Sequence, residues 1–446
     1  MIVMKFGGTS VGSAKAISEV AAIVKLYQKR KPVVVVSAVS GVTDTLIRLA
    51  QAAAEGGGTD ILQSIHGRHT DILQDLKLSP TLLEKQFAEL ESLVKQTHRK
   101  KGKLTKKTLD VFQSFGERMS SVIVAAAITK HGVPSKGFPA WELGMITDGV
   151  FGDAEPLKSS FPLLKKRISA LNVVPVVTGF IGKTEKGDIV TLGRGGSDYT
   201  AAILGAALKA EAIQIWKEVD GFLTTDPRIV PEAKVVHELA FEEACELAYF
   251  GAKVLHPKTI LPAMDAGVPV QVLNTFKPEG KGTTIVSSFE ERHGKSHTVE
   301  AFSRKKGITV IHIRSPEFFD GSGLMANVFK IFEKHRTSVD LIATSVVSVS
   351  LTIDDCEHLD GIVQDLSSLG EVKVVSGKAI ICMVGGSINA AGVAGRIFTV
   401  LGAHEIPVEM ISQAAGGVSM TFVVDEGDTE RALHVLHDTF IGTIGT

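Results

Sequence analysis

An arginine and an aspartate share one glycine-rich turn in the segment TLGRGGSDYT, residues 191–200. Two glycines flank Arg194 and a third follows, and Asp198 stands where an apolar helical pattern begins. Glycine loops that open helices often bind phosphate, because the free backbone N–H groups and the helix dipole attract anions. From this segment alone, the two charged side chains either contact ligands or pair with each other.

A second glycine loop, KFGGTSVG (5–12), follows the apolar run IVMKF and leads into another helical pattern. Gly7 and Gly8 allow backbone N–H groups to approach an anion, and Lys5 can add a positive charge. Ligands of open parallel sheets bind at the carboxyl ends of the strands, where this loop is predicted to lie. A tight strand-to-helix turn with an exposed lysine explains the segment equally well, so both interpretations stay open.

The glycine spacing differs from two common nucleotide-binding motifs. A dinucleotide site requires GxGxxG and an acidic residue at the end of the second strand. This chain has GGxxxG instead, its second strand ends at Ser37, and GxxxxGK[ST] does not occur. The pattern therefore argues against an NAD site and against a P-loop.

Polar side chains also follow or begin other apolar runs, in SAVSGVTD (37–44), SFGERMSS (114–121) and FGAKVLHP (250–257). The first supplies hydroxyl groups at Ser37 and Thr43. The second places Glu117 at the predicted start of an apolar helix, where a plain interaction with the helix dipole is the alternative to a binding role. The third places Lys253 beside a helix, and a surface lysine is the alternative there.

A parallel sheet must position these loops. Valine-rich runs at 2–6 and 32–38 enclose a helical pattern, which is typical of a βαβ unit. Two further buried strands are predicted at 173–182 and 212–216, with a helix between them. Residues 1–290 are therefore predicted to form one α/β domain with a mainly parallel, open sheet.

A charged helical insertion is predicted within this domain, at about residues 60–110. Its basic stretch, THRKKGKLTKK (97–107), is interpreted as a surface turn, with a patch for a polyanion as the alternative. HGRH (66–69) is interpreted as part of a solvated helix face rather than as a metal site.

Length and composition are those of a globular enzyme of two or three domains, with 446 residues, 44% of them hydrophobic. The formal net charge of −1 gives no indication of nucleic-acid binding. Three scattered cysteines form no CxxC motif, which fits a reducing compartment. No apolar run approaches the roughly 20 residues of a membrane span, and the first residues enter a strand directly. We expect a cytoplasmic protein without a signal peptide, a membrane segment or a nucleic-acid partner.

The C-terminal third repeats itself. After a polar segment at 287–298, interpreted as a linker, a shift of 69 residues superimposes Gly323 on Gly392 and VSLT (349–352) on VSMT (418–421). Each copy has the pattern strand, loop, helix, strand, strand, helix, which predicts two α+β units of the βαββαβ type. The predicted boundaries are 299–375 and 376–446, and a strand from about 299–306 is a candidate to complete the second unit.

KFGGTSVG, GERMSS, GFIG, TLGRGGSDYT, TTDPR and FGAKVLHP occur in the order found in aspartokinases of the amino acid kinase superfamily. The chain resembles this family over essentially its whole length and is most similar to the lysine-sensitive, monofunctional type. The resemblance implies an αβα sandwich followed by tandem ACT domains. A chain of this length is not expected to carry the homoserine dehydrogenase of bifunctional relatives.

The activity implied by the resemblance is transfer of the ATP γ-phosphoryl group to the side-chain carboxylate of L-aspartate, with Mg²⁺ arriving on ATP. The product, 4-phospho-L-aspartate, begins lysine, threonine and methionine biosynthesis. A carboxylate with a pKa of about 3.9 is already ionised at pH 7, so no catalytic base is needed. An amino-acid sensor with an inactive kinase-like domain and a kinase for another amino acid are the competing hypotheses.

The resemblance assigns a role to each matching side chain. The catalytic residues would be Lys5, Lys253 and Asp198, with Asp198 near the Mg–phosphate region. The substrate-binding residues would be Ser37, Thr43, Glu117, Arg194, Ser197 and Phe180, with Arg194 on a carboxylate and Glu117 on the ammonium group. The nucleotide-binding residues would be Lys5, Gly7, Gly8, Lys217, Glu218, Arg228 and Lys253. Lys217 and Glu218 stand where relatives often carry Thr-Asp or Ser-Asp, so a hydroxyl contact to the nucleotide is lost or replaced.

The resemblance also implies feedback regulation by a free amino acid. The effector-binding residues would be Gly323, Leu324, Ser338, Val339, Asp340 and Ser345, with Asp340 on the effector ammonium group; a simple cap of a strand end is the alternative for Asp340. Lysine is the expected effector, and threonine or lysine acting with a second molecule are the alternatives, because Val346 replaces a glutamate found in many lysine-sensitive relatives. Pairing of ACT domains predicts a homodimer, with a tetramer as the alternative.

Overall fold

The computed structural model describes residues 1–100, 104–252, 254–287, 298–316, 323–415 and 417–442. The strands are β1 (Ile2–Phe6), β2 (Pro32–Val36), β3 (Ser135–Phe138), β4 (Ile146–Thr147), β5 (Val174–Thr178), β6 (Ile181–Thr184), β7 (Ile189–Thr191), β8 (Ile213–Lys217), β9 (Glu238–Ala240), β10 (Val270–Asn274), β11 (Thr283–Val286), β12 (Ala301–Arg314), β13 (Ile342–Thr344), β14 (Ser348–Ile353), β15 (Glu371–Val384), β16 (Met410–Gln413) and β17 (Ser419–Asp425). The α-helices are α1 (Ala14–Leu26), α2 (Val42–Glu55), α3 (Thr59–Asp75), α4 (Glu84–Lys100), α5 (Lys106–Lys130), α6 (Ser160–Ser169), α7 (Gly196–Leu208), α8 (Phe241–Tyr249), α9 (Pro257–Asp265), α10 (Leu324–Lys334), α11 (Leu359–Leu366), α12 (Val393–Ala403) and α13 (Thr429–Phe440).

The chain divides into two compact units. The first comprises Met1–Phe222, His237–Phe241 and the described residues of Val254–Glu291. The second comprises the rest of the described chain, including Leu223–Val236 and the residues from Glu242 to 252. Two short segments of the predicted kinase domain thus belong to the second unit, and the domain boundaries given above stay predictions. Most of the interpreted linker, residues 288–297, lies outside the described residues.

An eight-stranded sheet forms the centre of the first unit, in the order β3-β5-β2-β1-β8-β10-β11-β9. The pairs are parallel except β10 with β11. Every residue of β1 and β2 is buried, as expected for parallel strands covered by helices on both faces. Because β2 and β8 flank β1, the chain segments that leave these three strands meet at one edge of the sheet. The predicted α/β fold with a mainly parallel sheet is confirmed.

The insertion consists of α3 and α4, which precede the long helix α5. The interpretation of HGRH as a solvated face is wrong for His69, whose side chain is fully buried. Its Nδ1 lies 2.7 Å from the carbonyl oxygen of Ile65, and burial lowers the pKa of the imidazole to about 4. His69 is therefore a neutral core residue.

The C-terminal repeats share one six-stranded antiparallel sheet, in the order β13-β14-β12-β15-β17-β16. The two central strands, β12 and β15, have 14 residues each and run through both repeats. Ala301–Lys305 of β12 pair with Val384–Ile380 of β15, and a register shift follows Lys305. Helices α10 and α11 pack in one apolar core and α12 and α13 in another. The predicted ACT architecture is confirmed.

Membrane insertion has no support from the described helices, because none of them is both long enough and apolar enough to cross a bilayer.

Candidate active site

A cavity of about 450 Å³ lies in the first unit, where the segments after β1, β2 and β5 meet the N-terminus of α7. It brings together nine of the predicted residues, Lys5, Gly8, Ser37, Thr43, Glu117, Phe180, Arg194, Ser197 and Asp198. A larger cavity of about 760 Å³ lies between α4, α5 and β3 and contains none of the predicted residues. Parallel strand order therefore assembles a site from segments almost 200 positions apart.

Two helix N-termini face this cavity. Helix α2 starts after Gly41 and helix α7 after Gly195, and these glycines have φ angles of 76° and 72°, in the left-handed region. Residues of both first turns line the cavity, among them Thr43 and Ser197. The first N–H groups of a helix have no intrahelical acceptor and carry a partial positive charge. The cavity is therefore suited to ligands with several negative groups.

A buried cluster of three charges lies beside the cavity. The Asp198 carboxylate forms an ion pair with Lys5 Nζ at 2.6 Å and accepts a hydrogen bond from Lys217 Nζ at 3.1 Å. Burial alone raises the pKa of Asp198, but the two ammonium groups outweigh it and lower that pKa to about 2. Burial also lowers the pKa of Lys5, and Asp198 opposes this effect. We call Lys5, Asp198 and Lys217 the lysine–aspartate cluster.

Arg194 is exposed at the rim of the cavity and forms no ion pair with the described residues. The pairing of Arg194 with Asp198 that the sequence left open therefore does not occur, because Asp198 is occupied by lysines. The guanidinium group is free to make the planar, two-pronged contact that a carboxylate ligand offers.

Glu117 lies near the middle of α5, so the prediction that it starts a helix is wrong, and with it the dipole interpretation. Its Oε1 accepts the backbone N–H of Ala38 at 3.0 Å, and its buried Oε2 has no partner among the described residues. Burial raises the pKa of Glu117 to about 8, although the Ala38 N–H and Lys5 favour the ionised form. A buried oxygen without a donor, in a cavity wall, is a natural acceptor for a ligand ammonium group.

Close packing holds the turn between β5 and β6 against α7. A Cβ atom on Gly179 would lie 2.6 Å from both Cβ and Oγ of Ser197, so only glycine fits there. Phe180 follows with a φ of 68°, a strained conformation for a non-glycine residue. Its N–H donates to Thr200 Oγ1 at 3.0 Å. Gly179 is a site-shaping residue that the sequence analysis missed, although it lies within the GFIG motif.

Besides Lys217, three of the predicted nucleotide-binding residues that the structure describes do not line the cavity. Gly7 donates its N–H to the carbonyl oxygen of Trp216 at 3.1 Å. Glu218 follows β8 and does not reach the cavity. Arg228 belongs to the second unit, where it is exposed and contacts Asp226 through two nitrogens, at 2.9 and 2.7 Å. Lys253 lies outside the described residues, so its role stays a prediction.

Lys217 also lies outside the cavity wall, and its position explains a contact that the sequence did not predict. In the parallel pair β1–β8, Lys5 is opposite Ile215, so Lys217 projects from the same face two residues later. This register brings the two ammonium groups to one carboxylate. Prediction of this contact would have required the strand order of the sheet, which local sequence patterns do not reveal.

The described part of the chain contains no group of three or more His, Cys, Asp or Glu side chains that is suited to hold a metal ion. A magnesium ion bound mainly by phosphate oxygens and water needs no such group.

In the second unit, the predicted effector residue Asp340 is already paired within the chain. Its Oδ1 accepts from Lys305 Nζ and from the Tyr249 hydroxyl, both at 2.7 Å. Lys305 also contacts Asp354 at 2.7 Å. Asp340 Oδ2 is buried and has no partner among the described residues. We call these four residues the Asp340 cluster; Lys305 and Tyr249 were not predicted.

The second repeat contains a related arrangement. Lys378 contacts Glu409 and also Asp425, the latter at 2.6 Å. Glu409 stands 69 positions after Asp340, which is the period of the repeat. An internal lysine on paired carboxylates is therefore common to both repeats, whereas the tyrosine contact belongs to the first.

The other predicted effector residues surround the start of α10 and the strand β13. Gly323 caps α10 and Leu324 is its first residue. Ser338 and Ser345 are exposed and Val339 is half-buried. The preceding residues, 317–322, lie outside the described part of the chain.

Comparison with known proteins identifies the family of each part of the chain. Residues 1–274 match the amino acid kinase family and residues 381–440 match an ACT domain. The chain is 37% identical to the chloroplastic aspartokinase 1 of Arabidopsis thaliana over 98% of its own length and 80% of that protein. The chain belongs to the aspartokinase family. The predictions of an aspartokinase and of an amino acid kinase fold with ACT domains are thereby confirmed.

Two crystal structures of E. coli aspartokinase III are similar over nearly the whole chain. The complex with aspartate and ADP, in the R state, has a TM-score of 0.81 at 33% identity and covers 98% of this chain and 99% of its own. The complex with lysine and aspartate, in the T state, has a TM-score of 0.81 at 34% identity and covers 99% of both chains.

Proposed function

We propose that this member of the aspartokinase family transfers the γ-phosphoryl group of ATP to the side-chain carboxylate of L-aspartate, giving 4-phospho-L-aspartate and ADP. The observation that carries the proposal is the single cavity that combines Arg194, Glu117, two helix N-termini and Lys5. These groups match the two carboxylates and one ammonium group of aspartate and the phosphates of ATP. The E. coli relative that binds aspartate and ADP supports the same ligands.

The chemistry follows from the charges. A carboxylate oxygen of aspartate forms a bond to the γ-phosphorus while the bond from that phosphorus to the bridging oxygen of ADP breaks, and no proton moves. The nucleophile is ionised at pH 7, so the protein must hold two anions together and stabilise the charge on the transferred group. Lys5 and the N–H groups of α7 serve this purpose, and Mg²⁺ would enter with ATP and neutralise phosphate charge.

Aspartate would bind between Arg194 and Glu117. Arg194 would contact a carboxylate, with Ser37, Thr43 and Ser197 as hydroxyl donors nearby. Glu117 Oε2, which has no partner among the described residues, would accept the ammonium group. The positive ligand favours the ionised carboxylate, so aspartate binding is expected to displace the proton of Glu117.

Regulation would occur in the ACT repeats. The product would begin lysine, threonine and methionine biosynthesis, and lysine would bind at the Asp340 cluster and inhibit, with threonine as the alternative. Asp340 Oδ2 is available to an effector ammonium group, and the E. coli relative has a T-state complex with lysine. Gly323, Leu324, Ser338, Val339 and Ser345 would complete this site. The protein would form a homodimer through the ACT repeats or a tetramer, and sedimentation with and without lysine tests this assembly.

ADP release in a coupled assay tests the proposed reaction. Aspartate should support turnover and glutamate should not, because one additional methylene misplaces the reacting carboxylate. Arg194→Ala should raise KM for aspartate about 10- to 100-fold, the cost of one charge-assisted contact, and leave KM for ATP nearly unchanged. Arg167→Ala, on the exposed side of α6, is the control.

Two outcomes would contradict the proposal. Unchanged aspartate kinetics in Arg194→Ala would refute the substrate contact at the glycine-rich turn. Absence of ADP release with every amino acid tested would refute the kinase activity and favour an amino-acid sensor.

A further inference from the structure

Lys217 makes two contacts that tie separate segments together. Its side chain is 19% exposed, and its ammonium group donates to Asp198 Oδ2 at 3.1 Å and to the carbonyl oxygen of Val254 at 2.5 Å. Asp198 lines the cavity, whereas Lys217 and Val254 do not. Its place in the fold is therefore behind Asp198 rather than beside a ligand.

The charge of the lysine–aspartate cluster depends on Lys217. Lys5 and Asp198 alone form a buried pair with no net charge, whereas the second lysine gives the cluster a net charge of about +1. A neutral buried pair attracts phosphate weakly, because the carboxylate cancels most of the field of the ammonium group at the ligand. With Lys217 present, Asp198 is shared and Lys5, which lines the cavity, keeps its effect on an anionic ligand.

The contact with Val254 has a second consequence. Val254 follows Lys253 directly in the chain, and Lys253 is the other lysine predicted to face the phosphates. The hydrogen bond to the Val254 carbonyl restrains the peptide group between Val254 and Leu255. Lys217 thus contacts Asp198, which is the ion-pair partner of Lys5, and the backbone of Val254, which follows Lys253 in the chain.

We infer that Lys217 is a positioning residue for phosphoryl transfer, which acts through Asp198 and the Val254 carbonyl and does not touch the nucleotide. This inference rests on the proposed function. The resemblance implies a direct nucleotide contact for this position. In the present inference, Lys217 instead affects the reaction through Asp198 and the Val254 carbonyl.

The first experiment compares Lys217→Met, Lys217→Arg and a control, Lys165→Met, which changes an exposed lysine of α6. Lys217→Met should lower kcat about 100-fold, comparable to removal of one preorganised electrostatic contact. KM for aspartate should stay within about threefold of the wild-type value, because this side chain does not line the cavity. Lys217→Arg should recover most of kcat, since a guanidinium group can donate to both acceptors. Equal kcat in Lys217→Met and wild type would overturn the inference.

The second experiment is a double-mutant cycle with Asp198→Asn. If Lys217 acts mainly through Asp198, adding Lys217→Met to Asp198→Asn should lower kcat by less than about fivefold further. Losses that multiply would show an independent action, such as direct contact with the nucleotide, and would overturn the inference. A rise of KM for ATP in Lys217→Met without loss of kcat would overturn it as well.

The two proposals fail in different ways. Failure of the proposed function appears in the wild-type protein, as absence of aspartate-dependent ADP release. Failure of the present inference appears only in the variants, with the wild-type protein fully active. Thermal unfolding and aspartate binding by calorimetry, measured for each variant, separate loss of folding from loss of positioning.

Discussion

Replacement of Glu117 by glutamine tests the electrostatics of the site directly. Glu117 is 3% exposed, and burial raises its pKa from 4.5 to about 8. Since each pKa unit corresponds to about 1.4 kcal/mol, keeping this carboxylate ionised costs about 5 kcal/mol relative to the unfolded chain. Glutamine has nearly the same shape and carries no charge at any pH.

The sign of the pH effect follows from proton linkage. Between pH 4.5 and about 8, Glu117 holds its proton in the folded protein and loses it in the unfolded chain. Its contribution to the free energy of unfolding is therefore complete below pH 4.5 and declines as the pH rises toward 8. Glu117→Gln lacks this decline, so from pH 5 to pH 8 the variant should gain about 3 kcal/mol relative to wild type.

Urea unfolding followed by tryptophan fluorescence measures this difference. Both tryptophans, Trp141 and Trp216, belong to the first unit, so the signal reports the unit that contains Glu117. Glu185→Gln, in an exposed turn, is the control and should show no such pH dependence. A difference between Glu117→Gln and wild type that stays constant from pH 5 to pH 8 would refute the reasoning.

A binding measurement connects the same residue to the substrate. At pH 7 Glu117 is mostly protonated, and an aspartate ammonium group favours its ionised form. Calorimetry in buffers of different ionisation enthalpy should therefore show release of up to about one proton per aspartate, lost in Glu117→Gln. Equal proton release in both proteins would place the ammonium group elsewhere.

Two further predictions concern packing and regulation. Gly179→Ala should destabilise the protein by about 1–3 kcal/mol and raise KM for aspartate, because the new methyl group displaces Ser197. Gly149→Ala, where the methyl group meets open space, is the control. Equal behaviour of the two variants in unfolding and kinetics would disprove the packing argument. Asp340→Asn should raise the lysine concentration for half-inhibition at least about tenfold, since it removes a charged acceptor. Asp425→Asn in the second repeat is the control and should have little effect. If the inhibition curves of the two variants coincide, Asp340 is not part of the effector site.

The sequence by itself determined the local elements and the loops that carry the chemistry. Buried apolar runs predicted β1 and β2, the glycine-rich loops at 5–12 and 191–200 predicted the helices α1 and α7 that follow them, and the period of 69 residues revealed the two C-terminal copies. The first two signals depend on residues close together in the chain, and the third is a direct comparison of the sequence with itself. Nine of the predicted binding residues meet in one cavity because parallel strands direct their carboxyl ends to the same edge.

Only the tertiary structure decided which charges meet. Lys5 and Lys217 share the carboxylate of Asp198 because β8 lies beside β1, although the two strands are more than 200 positions apart. Asp340 pairs with Lys305 within the second unit, and burial raises the pKa of Glu117 to about 8. Ion pairing and burial depend on neighbours that the chain brings from a distance, and local patterns contain no record of those neighbours.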